Sequence, residues 1–277
     1  MWTQIVGKVR LALTPLVNHW WNVPLYVTSR GLTTSPIPYG ERSFELRFDF
    51  LKHQLVLETS DGALKTLPLC PKSVADFYQE FVRLLQAEDI NVKILRMPVE
   101  IKDPIPFDED RVHASYDAVS VEKFWRILVS VDAIFKEFRA GFIGKSSPVH
   151  FFWGSFDLAV TRFSGRRAPE RSGADAITKE AYSHEVSSVG FWPGASGTSD
   201  AAFYSYAAPE PNGFNSAPSQ PKAASYNTGL GEFLLQYEEV RKSDSPSKSL
   251  LQFCQSTYEA AANLGKWDRA SLERKAA

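Results

Sequence analysis

Cysteine and methionine are scarce, with two of each in 277 residues. Two thiols as far apart as Cys70 and Cys254 do not make a disulfide framework, and both read as buried apolar residues. Charge of either sign is not in excess: 31 basic and 32 acidic residues leave a net charge of −1. That balance excludes a general affinity for nucleic acid or for an anionic membrane. No apolar run reaches the roughly 18 residues of a bilayer span. The first residues are not those of a signal peptide, because Lys8 and Arg10 interrupt the apolar stretch. No Asn-x-Ser/Thr sequon occurs, which agrees with a cytoplasmic location.

The common catalytic signatures are missing too. There is no Gly-x-Ser-x-Gly, His-Glu-x-x-His, Cys-x-x-Cys or Gly-x-Gly-x-x-Gly. Gly144-Lys145-Ser146 ends like a phosphate-binding loop, but Arg139 stands where its first glycine belongs. The order is also reversed, with a helix before and a strand after, so a helix-to-strand turn is the simpler reading. Ser120-x-x-Lys123 and Ser245-x-x-Lys248 have acyl-enzyme spacing, yet helix capping accounts for both serines.

Aromatic residues are plentiful, at 13% of the chain. A chain of this length buries roughly 75% of its unfolded surface and needs no covalent staples. Apolar periodicity predicts helices over 2–14, 74–87, 121–140 and 247–264. Ser73 and Ser120 are expected N-caps, and Ser245-Pro246 is expected to open the last helix. Strict alternation over 44–50, a run at 55–59 and Asp61-Gly62 describe a hairpin leading into a third strand at 63–69. Further strands are expected at 91–101, 149–165, 182–192 and 201–207, with 232–240 either strand or short helix. The fold class is therefore α+β, with largely antiparallel sheets of meanders and packed helices. The chain reads as a single unit over 1–277, and its order allows two pseudo-repeats, 1–101 and 119–265. Residues 208–229 read as a surface loop and 268–277 as a frayed tail.

The segment 145–194 has the wrong chemistry for a plain core. His150, Asp157 and Arg162 lie among Phe151, Phe152, Trp153 and Phe156, and a charge buried without a partner is costly. One reading is structural: an ion pair between Asp157 and an arginine on an edge strand. The other is an aromatic pocket with a few convergent polar groups. In that pocket Trp153, Phe156, Phe191 and Trp192 line the wall. Arg162 anchors an anionic group, with Arg166 and Tyr182 beside it. His150, Asp157, His184 and Glu185 supply proton transfer or ligation. Lys145 and Arg167 are further candidates for an anion. Two histidines and a carboxylate suffice for a metal, but the spacing of His150 and His184 carries no information and no metal is assigned. His19, beside two tryptophans, reads as a hydrogen-bonded core histidine.

The runs NHWWNVPLYVTSRGLTTSPIPYG, GKSSPVHFFWGSFDLAVTRFSGR, AYSHEVSSVGFWPG and FYSYAAPEPNGF resemble a bacterial family known as domain of unknown function 5996. The similarity spans essentially the whole chain. It implies a bacterial cytosolic protein and transfers no activity. The residues themselves favour a small-molecule enzyme or ligand-binding protein that takes a small anionic molecule. The alternative is an interaction or scaffold protein with an aromatic docking patch. They leave open whether the chain is an enzyme, which cofactor it uses and how it assembles.

Overall fold

The computed structural model describes residues 1–195 and 200–275. The chain divides into two compact units. The first comprises Met1–Val17, Trp21–Ser130 and Phe151–Ser155; the second comprises Asn18–Trp20, Val131–His150 and Phe156–Ala277.

In the first unit, α1 (Trp2–Leu13) buries Ile5, Val6 and Val9, and unexpectedly also Gln4, Lys8 and Arg10. The reason lies in the segment 91–101, which is not the expected strand. Its backbone groups bind side chains of α1 instead of a sheet neighbour. The Gln4 amide donates to the Val99 carbonyl and accepts from the Val99 N–H, each at 2.9 Å. Lys8 Nζ donates to the Met97 carbonyl at 2.7 Å. Gln4→Leu leaves both Val99 groups without these partners, and a cost of about 1–3 kcal/mol is expected in urea denaturation. A wild-type midpoint would contradict this account of 91–101.

The sheet of this unit is antiparallel. Its strands are β1 (Tyr26–Val27), β2 (Gly31–Thr33), β3 (Ile37–Tyr39), β4 (Arg42–Asp49), β5 (Gln54–Thr59) and β6 (Leu64–Pro68). The order is β1-β2-β4-β5-β6, with β3 also on β4. Phe44, Leu46 and Phe48 are buried along β4, as its alternation requires. The expected turn at Asp61-Gly62 forms, with Gly62 at φ +97°. Helix α2 (Val74–Gln86) starts at Ser73, whose hydroxyl accepts from the Asp76 N–H and donates to the Asp76 carboxylate. Helix α3 (Ala118–Ala140) starts before the expected 121. Its cap is Asp117, which accepts from the Val119 N–H at 3.1 Å and from the Ser120 hydroxyl, so Ser120 is not the N-cap.

In the second unit, the single strand expected over 149–165 is two: β7 (His150–Phe152) and β8 (Asp157–Arg167). Phe156 lies between them at φ +63°, which breaks the parity a continuous strand would keep. Then follow α4 (Ala176–Ala181), β9 (His184–Trp192), β10 (Ala202–Ala208), β11 (Ser225–Asn227), β12 (Glu232–Gln236), α5 (Tyr237–Lys242), α6 (Pro246–Leu264) and α7 (Arg269–Leu272). The antiparallel sheet runs β11-β12-β10-β9-β8, with β7, of which His150 belongs to this unit, as its sixth strand. Helix α6 packs on β9 and β10. Leu158, Val160 and Arg162 alternate along one side of β8, and Asp157, Ala159 and Thr161 along the other.

Three expectations change here. The loop 208–229 contains β11 and carries Phe214, which is fully buried and meets the rings of Tyr226 and Phe233 edge-on. Residues 268–275 are not frayed: the Leu272 carbonyl accepts from the N–H groups of Ile143 and Gly144, while 276–277 lie outside the described residues. The pseudo-repeat requires equal strand order, and the orders differ. β6, which leads into α2, is outermost, whereas β12, which leads into α5 and α6, lies between β10 and β11. Among the described residues no helix is long and apolar enough to cross a membrane.

Candidate functional site: a lysine between two imidazoles

Of the expected wall residues, Trp153 and Phe191 are buried. Trp153 belongs to the first unit, where it is buried over Gly7 and donates Nε1–H to the Val23 carbonyl at 2.9 Å. Phe191 lies in the second unit, packed with Phe203 and Tyr237. Trp192 follows it on β9 and faces the other side of the sheet. Phe156, at 37% exposure, sits in the turn before β8.

Arg162 points away from Asp157, as their spacing on β8 demands, and lies in the core. It is 2% exposed. Its guanidinium carbon lies 3.5 Å from the Phe138 ring centre, 4.3 Å from Tyr258 and 5.0 Å from Phe142. Nη2 donates to the Phe138 carbonyl, and Nε makes no hydrogen bond. Burial lowers its pKa to about 10. Desolvated cation–π contacts are worth about 2 kcal/mol, and three rings around one plate make Arg162 a core element rather than an anion anchor.

Asp157 and Tyr182 join one polar chain through Tyr204 and Tyr206, while Arg166 and Glu185 form a separate pair. Asp157 accepts from the Tyr204 hydroxyl, whose ring lies across Gly190, where a Cβ would sit 2.2 Å from it. Burial, and next the charge of Asp157, raise the Tyr204 phenol well above its ordinary pKa. Tyr182 shares a hydrogen bond with Tyr206 at 2.9 Å and lies under Arg171 at 3.9 Å. Arg166 pairs with Glu185 at 2.6 Å and donates to the Gly265 and Lys266 carbonyls. Glu185 is thereby an ion-pair partner, not a neighbour of His184 in a shared site. His150 is buried at 1% exposure. Among the described residues no three His, Cys, Asp or Glu side chains are grouped to hold a metal ion.

One predicted site residue, His184, enters a cluster with Lys145, a candidate for an anion, and with His19, expected as a core histidine. The three belong to the second unit. Lys145 is placed by β8, whose Phe163 N–H donates to the Lys145 carbonyl at 3.0 Å. Its side chain then passes over the Phe163 ring, with Nζ 5.1 Å from the ring centre. His19 is placed by the 3-10 turn Asn18–Trp20, in which His19 and Trp20 both have φ +59°. Left-handed backbone at two consecutive non-glycine residues costs on the order of 1–3 kcal/mol each. The turn is held at the end of α4: His19 N–H donates to the Glu180 carboxylate at 3.3 Å.

The ring nitrogens of His19 have fixed roles. Nδ1 lies 3.0 Å from the Glu180 carbonyl and 3.2 Å from the Ala181 carbonyl. Both are acceptors only, so Nδ1 carries the proton. Nε2, 2.6 Å from Lys145 Nζ, is then the lone-pair nitrogen and accepts from the ammonium. Burial first, and the Lys145 charge second, lower the His19 pKa. Burial also lowers that of Lys145. His184 lies edge-on to His19, with ring centres 5.6 Å apart. Its Nδ1 is 3.1 Å from the Ser183 hydroxyl, and burial, then the charges of Lys145 and Arg167, lower its pKa. Arg167 pairs in register with His184. The result is an exposed lysine whose amine rests against a neutral imidazole, with a second imidazole and an arginine on the neighbouring strands.

Fold and site together define an α+β protein of two antiparallel sheets bearing a lysine–histidine cluster on the second. The chain belongs to the family of unknown function DUF5996, whose model matches residues 1–274. No curated protein and no solved structure matches it.

Proposed function

We propose that the second unit binds a small anionic molecule at His19, Lys145 and His184, with Arg167 at the rim. The reading rests on one observation: the Lys145 amine held 2.6 Å from the lone-pair nitrogen of His19. A positive charge beside two imidazoles with lowered pKa values favours a negatively charged ligand. A carboxylate or phosphate placed there offsets the repulsion that lowers both imidazole pKa values. Lys145 thus takes the part expected of Arg162. The enzymatic form of this reading draws on His19, a base already deprotonated at neutral pH.

The test is calorimetric titration of inorganic phosphate and of small mono- and dicarboxylates, with thermal shifts in parallel. At least one anion is expected to raise the melting temperature of the wild type, and the rise is lost in Lys145→Met. Binding is accompanied by proton uptake and tightens as pH falls from about 8 towards 6, because the anion raises the imidazole pKa values. If no anion stabilises the wild type, or if Lys145→Met responds equally, the reading fails.

The free protein has the opposite dependence. His19 and His184 hold fewer protons when folded than when unfolded between their lowered values and their ordinary value of 6.5. Stability therefore falls as pH falls through that window. The dependence is expected to shrink in His19→Gln and in saturating anion, as read from denaturation midpoints across pH.

A further inference from the structure

We propose that Lys145 is a nucleophilic amine, with His19 as its base, that condenses with the carbonyl carbon of a small anionic aldehyde or ketone. The inference rests on the anion site above and adds a reaction to it. An activated nucleophile is recognised by a base within hydrogen-bond reach and a third group that orients the base. Lys145 Nζ, His19 Nε2 and the carbonyls of Glu180 and Ala181 stand in that relation, at 2.6, 3.0 and 3.2 Å. The two carbonyls fix the tautomer and leave the lone pair of Nε2 facing the amine. The left-handed turn at His19 and Trp20 holds the imidazole in place. Lys145 is an exposed residue, although its contact with His19 is partly buried.

The step balances without a further reagent. The Lys145 ammonium passes a proton to His19 Nε2, and the freed lone pair attacks the carbonyl carbon. One of the two nitrogen protons of the adduct moves to the former carbonyl oxygen, giving the carbinolamine, and the protonated imidazole then gives its proton to that hydroxyl. Water departs and a carbon–nitrogen double bond remains. No oxidant is consumed and the imidazole ends as it began. The groups around the cluster select among carbonyl compounds. Arg167 and His184 favour one carrying a carboxylate or phosphate over a neutral one.

The full-length chain is incubated with glyoxylate, pyruvate or acetaldehyde in the presence of cyanoborohydride, and the reduced adduct is located by peptide mass mapping. A single fast adduct on Lys145 is expected with the two oxo acids, and a slower one with acetaldehyde. His19→Gln is expected to slow trapping by about a hundredfold, the usual weight of a positioned base. Should His19→Gln fail to fold, the pH profile of wild-type trapping serves instead: its midpoint lies below the ordinary lysine value of 10.5. Adducts spread over surface lysines, with Lys145 no faster than the rest, overturn the inference, as does an ordinary lysine midpoint. If phosphate stabilises the protein through Lys145 but no adduct forms, the nucleophile is wrong and the anion site stands. If neither occurs, both are wrong.

Discussion

Arg162→Lys is expected to destabilise the second unit by about 3 kcal/mol although the charge is kept. The guanidinium is a flat plate between the rings of Phe138 and Tyr258, 3.5 and 4.3 Å away, with Phe142 at 5.0 Å. An ammonium is a compact, strongly hydrated point charge that cannot stack on a ring, and its desolvation is costlier. Arg162→Met removes the buried charge and nearly fills the volume. Replacing a desolvated charge by an apolar side chain is often close to neutral. The loss of the donor to the Phe138 carbonyl makes it about 1–2 kcal/mol unfavourable. Arg162→Ala empties the cage and is expected to cost about 3–5 kcal/mol. The diagnostic is the order, with methionine better tolerated than lysine in urea denaturation. An anion anchor would give the reverse, and a lysine variant as stable as wild type removes the cage account.

Trp125→Ala is expected to cost the first unit about 3–5 kcal/mol. Trp125 is 6% exposed and donates its indole N–H to the Thr28 carbonyl at 3.0 Å. Truncation opens a space the size of the indole and leaves a carbonyl of the β1–β2 connection without that partner. Trp125→Phe fills most of the space and loses only the hydrogen bond, so it is expected to cost about 1–2 kcal/mol. Equal costs for the two would mean that the indole volume does not support the packing of α3.

What was legible in the sequence is what short-range chemistry dictates. Ser73 and Asp76 close a helix end within four residues, Asp61-Gly62 turns a hairpin, and the stripe through Trp125 and Leu128 writes a helix. Ser120 was mistaken for a cap because Asp117, three positions earlier, competes with the same kind of oxygen. The segment 91–101 has a strand-like apolar pattern, but Gln4 and Lys8, almost the whole unit away in sequence, claim its backbone groups. Arg162 was correctly marked as a charge among aromatics. Its cage, however, is built from Phe138, Phe142 and Tyr258 on other elements, and no local pattern announces it.

The site was the least legible part. His19 and Lys145 meet across 126 positions, and no spacing in the sequence pairs them. His19 looked like a core histidine, and it is buried and hydrogen-bonded. Lys145 sat in a loop motif rejected for sound reasons, since the helix-to-strand order is wrong for a phosphate loop. Their importance comes from a turn that aims one ring and a strand that aims one amine. The only signals available were a histidine placed after a helix stop and a lysine in a tight turn.

The nitrogen resonances of the His19 ring, recorded from pH 8 to 5 without and with a bound anion, test the central claim most directly. The account predicts a neutral ring at pH 7 with the proton on Nδ1 and a lone pair on Nε2. Nε2 gains its proton only below the ordinary histidine value of 6.5, and at higher pH once the anion is present. A ring already doubly protonated at pH 7, or a neutral ring with its proton on Nε2, would contradict it.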